Sequence, residues 1–108
     1  MSATEYRILF MVRRPYFDAI VAGTKTFELR RHSQWWHSMS FKAWERIDTG
    51  RPLTAVVMCG RSVHRRRIIG VTWGQSAEVA LGRAPTAEEV EFLGSGEVVR
   101  FALGEVVP

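Results

Sequence analysis

Three charged side chains, Lys25, Glu28 and Arg30, stand within six positions of the segment Gly23-Thr24-Lys25-Thr26-Phe27-Glu28-Leu29-Arg30. An ammonium and a carboxylate within reach of each other form an acid–base pair. The carboxylate can take a proton from water, and the ammonium can stabilise an oxyanion. A guanidinium beside them adds two-point recognition of a phosphate or a base edge. Thr26 is the one hydroxyl of the strand that follows Lys25, so Lys25, Glu28 and Thr26 are the candidate catalytic residues and Arg30 a candidate ligand contact. In a regular strand, Lys25, Phe27 and Leu29 share one face and Thr26, Glu28 and Arg30 the other. Glu28 and Arg30 are then close enough to pair, while Thr26 points away from Lys25, which is poor geometry for proton transfer between them. The same pattern also suits an exposed Glu–Arg pair and a solvated turn lysine.

Two further clusters carry candidate binding residues. Arg31, Trp35 and Trp36, with His32 beside them, combine stacking surfaces with phosphate donors, as single-stranded RNA binding requires. Adjacent tryptophans are equally compatible with one core plug and one rim residue. Arg61, His64, Arg65, Arg66 and Arg67 lie within seven residues and are candidate phosphate ligands. On a twisted strand they divide between two faces, and a solvated sheet edge explains them equally well. Glu88, Glu89, Glu91 and Glu97 are all candidates for a carboxylate that completes a site from later in the chain. No metal site is expected: His32 and His37 are five apart, matching neither helical nor strand ligand spacing, and Cys59 stands alone. No phosphate-binding glycine loop, dinucleotide fingerprint or serine-hydrolase elbow is present, so no cofactor is expected.

The elements that must position these residues follow from periodicity. Tyr6 to Arg13 reads as a buried strand. Pro15 at a first helical turn, Phe17, Ile20 and Val21 at helical spacing, and Gly23 after them describe a helix of about two turns closed by a glycine. A second strand runs from Lys25 to Arg31. His32 to Ser40 reads as an irregular loop, with Ser40 the N-cap of a helix to about Asp48. Leu53 to Cys59 is apolar almost throughout, as in a strand covered on both faces. Val63 to Trp73 gives a fourth strand, Thr86 to Glu89 a capping box that opens a short helix stopped by Gly94, and Glu97 to Val107 a fifth strand. Most successive strands lack the long helix a parallel crossover needs. The expected fold is therefore α+β: a small mixed β-barrel of five to six strands with two to three short peripheral helices.

Length and charge bound the rest. A chain of 108 residues with 46% hydrophobic and 24% charged residues suits one packed domain, residues 1–108. The apolar run Ile8 to Val12 is too short for a membrane span or a signal core, so no membrane partner and a cytoplasmic location are expected. The net charge of +4 is unevenly spread: thirteen Lys/Arg against five Asp/Glu through Gly70, two against six afterwards. Thirteen of the fifteen cationic residues are arginine. An anionic partner follows, nucleic acid first, although genomic base composition can produce the same bias.

The order strand, Pro-Tyr-Phe helix, then Gly23, Lys25, Glu28 and Arg30 resembles the G-x-K-x-x-E-x-R signature of ASCH domains, within the PUA-like superfamily of RNA-associated barrels. The resemblance extends through the tryptophan-bearing segment, the helix with Trp44 and the strand Val56 to Gly60. It implies a cleft between barrel and helices where the lysine and glutamate face a ligand, RNA or a modified nucleoside. Some members of the family remove the acetyl group from N4-acetylcytidine, using a threonine three residues after the lysine. Glu28 occupies that position here. The readings left open are a nucleoside- or RNA-binding domain, a small amidohydrolase or ribonuclease with Lys25 and Glu28 as its pair, and a basic protein-interaction module.

Overall fold

The computed structural model describes residues 5–108. The elements run β1 (Tyr6–Met11), α1 (Arg14–Ala22), β2 (Phe27–Arg31), α2 (Gln34–Asp48), β3 (Leu53–Cys59), β4 (Ser62–Ser76), α3 (Ala77–Leu81), α4 (Ala87–Leu93) and β5 (Glu97–Val106). One five-stranded sheet has the order β1-β3-β4-β5-β2, with β1 parallel to β3 and every other pair antiparallel. β4 is long enough to serve both halves. Register shifts between Arg66 and Ile68, Ile68 and Gly70, and Thr72 and Gln75 bend it, which curls the sheet around its core. The fold is α+β as expected, but the barrel is not closed. β1 and β2 remain as facing edges, and in place of a ladder the Arg30 side chain reaches across to donate to the Met11 carbonyl at 3.2 Å. The described residues hold four helices instead of two to three: α3 is a single short turn whose pattern is too brief to register as periodicity.

The main core lies inside the curl. Phe10 and Phe101 are fully buried, and Trp36 of α2 stacks on Phe10 with ring centroids 5.6 Å apart. A smaller cluster of Leu29, Ala77, Ala80, Leu93 and Val98 packs α3 and α4 against the other side of β2. β2 is therefore covered on both faces.

The largest departure from the sequence reading is α2. Trp35 and Trp36 belong to its first turn, not to a loop. Ser33 is the N-cap, its hydroxyl accepting from the Trp36 N–H at 3.1 Å. Ser40, the cap expected from sequence, sits mid-helix and fully buried; its hydroxyl donates to the His37 carbonyl and accepts from the Trp73 indole. Both serines can cap a helix, and only the packing of Trp36 and Ala43 on the sheet selects the earlier one. The remaining helices end as read: Gly23 closes α1 in a left-handed conformation (φ 80°), and Thr86 and Glu89 form the capping box of α4.

Candidate functional site

Lys25 and Glu28 meet because the strand begins later than its sequence suggests. Regular β structure starts at Phe27, and the preceding residues still belong to the end of α1, where the Thr24 and Lys25 N–H groups both donate to the Ala19 carbonyl. Lys25 is thus anchored at a helix terminus and turns its side chain back over β2. Its Nζ donates to Glu28 Oε1 at 2.5 Å.

Glu28 points into the curl opposite Phe101 and is 2% exposed. A bare carboxylate there would cost several kcal/mol. Both oxygens are instead held by charged donors, Oε1 by Lys25 and Oε2 by Arg30 Nη1, also at 2.5 Å. Arg30 is itself buried. It donates to the Leu29 and Met11 carbonyls, and its guanidinium lies 5.1 Å from the ring centre of Phe10 and 5.4 Å from those of Trp36 and Phe92. Stacking of this kind suits a planar, weakly hydrated cation and would not suit lysine. The exposed Glu–Arg pair considered from sequence is replaced by a buried one.

These three residues line one recess of about 640 Å3 between the ends of β1 and β2, α1 and α4. The volume falls within the roughly 300–1,000 Å3 usual for small-molecule sites. Its walls are largely apolar and aromatic, with Val12, Phe27, Leu81, Phe92 and Leu93 among them. Of the triad, Lys25 is the most exposed charged group: its side chain is 22% exposed, against 2% for Glu28 and 8% for Arg30, and it uses one of three donors on Glu28. The ring of Tyr16 lies 5.1 Å from Nζ. Desolvation first, and Glu88 and Glu89 next, push the Tyr16 phenol above its ordinary value, so its hydroxyl keeps its proton.

Two ion pairs brace the mouth. Arg13 Nη1 meets Glu88 Oε1 at 2.5 Å, tying the start of α1 to α4, and Arg83 grips both oxygens of Glu89 at 2.7 and 3.0 Å. The hydrogen bonds from Arg83, followed by those from Thr86, hold the Glu89 carboxyl at about 2 in spite of partial burial. Of the later carboxylates, Glu88 and Glu89 line the recess; Glu91 does not, and Glu97 borders a second, shallower hollow with Arg31, His32 and the loop Gly94 to Gly96. Among the described residues no group of three or more His, Cys, Asp or Glu is placed to hold a metal.

The other sequence candidates are dispersed. Thr26 is exposed and outside the lining, its carbonyl accepting from the Leu103 N–H, whereas Thr24 lines the recess. Arg31 caps α4 by donating to the Glu91 and Phe92 carbonyls. Trp36 is a core residue, and Trp35 is 67% exposed on the outside of α2. Arg66 donates to the Ile20 and Gly104 carbonyls and to His64 Nε2, and Arg67 donates to Glu5 and Thr54. Desolvation, then the Arg66 charge, pushes His64 below its ordinary value. Arg61 and Arg65 are exposed. Sequence reasoning missed Arg13, Tyr16, Phe27, Arg83 and Phe92 as recess residues. Only Tyr16 and Phe27 carried a signal, as neighbours of the charged motif.

Compared with known proteins by sequence, the chain matches no family model and no curated protein. By structure it is similar to the crystal structure of the S128A mutant of ZmASCH from Zymomonas mobilis, with a TM-score of 0.61 over 92% of this chain and 68% of that one. The chain has an ASCH-like fold. Sequence identity over the match is 15%, so the shared property is the arrangement of chain. The ASCH-like sheet here is a curled half-barrel with four helices. Among the described residues no helix is long and apolar enough to cross a membrane.

Proposed function

We propose that the recess binds one nucleoside, free and modified or within a single-stranded RNA, between its apolar walls, with the Lys25 ammonium donating to an acceptor on the ligand. The reading is carried by one observation: Lys25, Glu28 and Arg30 form a chain of hydrogen bonds in which Lys25 is the most exposed member, with two ammonium hydrogens beyond its bond to Glu28, in a cavity lined by aromatic side chains. A planar base gains from Phe27 and Phe92 through stacking, and its carbonyl oxygen or ring nitrogen gains a charge-assisted bond to a lysine that Glu28 holds in place. Glu28 and Arg30 in this account are positioning residues.

The experiment is a titration of cytidine, uridine, adenosine, guanosine and N4-acetylcytidine into 15N-labelled protein. At least one should shift resonances around residues 24 to 30, and Lys25→Ala should weaken it by tenfold or more. No shift with any of the five, or equal affinity in the variant, overturns the reading.

A second reading, a small hydrolase, has the 2.5 Å Lys25–Glu28 contact in its favour. Water would be activated by Glu28, and Lys25 would steady the oxyanion. Both Glu28 oxygens already accept bonds from cations, so Oε1 would have to exchange Lys25 for water before taking a proton. Release of acetate from N4-acetylcytidine, or cleavage of RNA, by wild type but not by Lys25→Met or Glu28→Gln would establish it. Equal rates in all three would remove it.

A further inference from the structure

Among the described residues, the outer face of the sheet beside the recess carries arginines that no ion pair engages, Arg61 and Arg65. The register sets three rows there: Arg7, Thr54 and Arg67; Leu9, Val56 and Arg65; Met11, Met58 and Val63. Glu5 faces this surface and lies 3.7 Å from Arg7 and 3.4 Å from Arg67. The Thr54 hydroxyl first, then Arg7, Arg67 and Arg65, hold it below its ordinary value. Arg65 makes no ion pair among the described residues, and Arg61 extends the excess at the β3–β4 turn, where its neighbour Ser62 accepts from Arg14 at 3.1 Å. Met11 belongs both to this face and to the recess wall, so the two surfaces are continuous. The opposite rim has no such excess, because Glu88 and Glu89 of α4 are paired there with Arg13 and Arg83.

We infer that a single-stranded RNA whose nucleoside occupies the recess leaves it across Met11, over the outer face of β1, β3 and β4, with Arg61 and Arg65 holding its phosphates. The inference rests on the nucleoside reading above and gives the strand a direction. A polyanion leaving the recess finds the charges of α4 already paired with Arg13 and Arg83, and meets attraction from the arginines beyond β1. The face also suits the chain of a nucleic acid in having apolar side chains, Leu9 at 58%, Met11 at 64% and Val63 at 45% exposure, between the cations. Unstacked bases can lie on such surfaces while phosphates meet arginine. Arg61 and Arg65 are the residues to test, since neither is engaged in a hydrogen bond or ion pair among the described residues, unlike Arg66 and Arg67.

The test measures fluorescence anisotropy of a fluorescein-labelled ten-nucleotide RNA of mixed sequence against salt, beside the nucleoside titration. Wild type should bind the ten-mer at least tenfold more tightly than any free nucleoside. Arg61→Gln/Arg65→Gln should lose at least tenfold in ten-mer affinity and lower the magnitude of the log–log salt slope by about 1.4, two single-strand phosphate contacts, with nucleoside affinity unchanged. A control with the same change of charge elsewhere, Lys42→Gln/Arg51→Gln, should retain both. Equal losses in the two double variants overturn the path, as does a ten-mer that binds no tighter than a nucleoside. Displacement of the ten-mer by a glutamate decamer at equal concentration also overturns it, in favour of an acidic protein partner. If the ten-mer binds through Arg61 and Arg65 while no nucleoside enters the recess, the recess reading fails and the path leading from it fails with it.

Discussion

β2 and β4 both carry arginines among apolar residues, and they put them to opposite uses. On β2, Arg30 turns inward onto Phe10, Trp36 and Phe92 and shares Glu28 with Lys25. On β4 the alternation separates neighbours: Arg66 turns inward to the carbonyls of Ile20 and Gly104, while Arg65 faces solvent. The difference teaches that an arginine's role is set by the acceptors its face of the strand meets. A buried carboxylate makes it part of the framework, backbone carbonyls make it a brace, and open water leaves its charge available to a partner.

The comparison breaks most sharply at Glu28. Glu28→Gln leaves the Lys25 and Arg30 charges beside a neutral amide in a dry site, and unfolding free energy should fall by about 3 kcal/mol or more, measured by urea denaturation. A loss under about 1 kcal/mol would mean that the triad is hydrated and that β2 and β4 do not differ in kind. The neighbours on β4 sharpen the contrast within one strand. Arg66→Met should cost about 1–3 kcal/mol through two unpaired carbonyls, and Arg65→Gln no more than about 0.5 kcal/mol. Similar losses at the two positions would erase the distinction drawn between the faces.

Acid is the mildest probe. Glu89 in the folded protein titrates near 2, below its ordinary 4.5, so its contribution is complete above about 4.5 and is lost as pH falls toward 2. Amide exchange in α4 should therefore accelerate between pH 5 and pH 3 relative to β5, after correction for intrinsic rates. Arg83→Gln should flatten that dependence. Unchanged protection of α4 in wild type over this range would show that the mouth of the recess does not depend on the Arg83–Glu89 pair.

Much of the framework was legible because it rests on local rules. Gly23 after Ile20 and Val21 ends α1, the Thr86 to Glu89 spacing opens α4, and the apolar run of β3 requires cover on both faces. α2 was misplaced at its start because Ser33 and Ser40 offer the same hydroxyl chemistry, and only burial tells a cap from a core serine. Whether the small mixed barrel closes was not legible for a related reason. Strand patterns count strands, but whether the first and last pair depends on what fills the gap, here the side chain of Arg30. Tyr16, Arg83 and Phe92 lie far apart in sequence, and no spacing rule gathers them.

From the order of residues alone come the charge asymmetry, the element sequence with its caps, and the choice of Lys25, Glu28 and Arg30 as the group to follow, because each depends on residue type and near-neighbour periodicity. The tertiary structure decided that Lys25 and Glu28 converge despite starting on opposite faces, that Arg30 is buried among three aromatic rings, and that Arg61 and Arg65 are exposed while Arg66 and Arg67 are engaged. Those outcomes turn on which acceptors and rings distant segments bring within a few ångströms, and Coulomb and hydration energies are set by that distance and by the water it excludes.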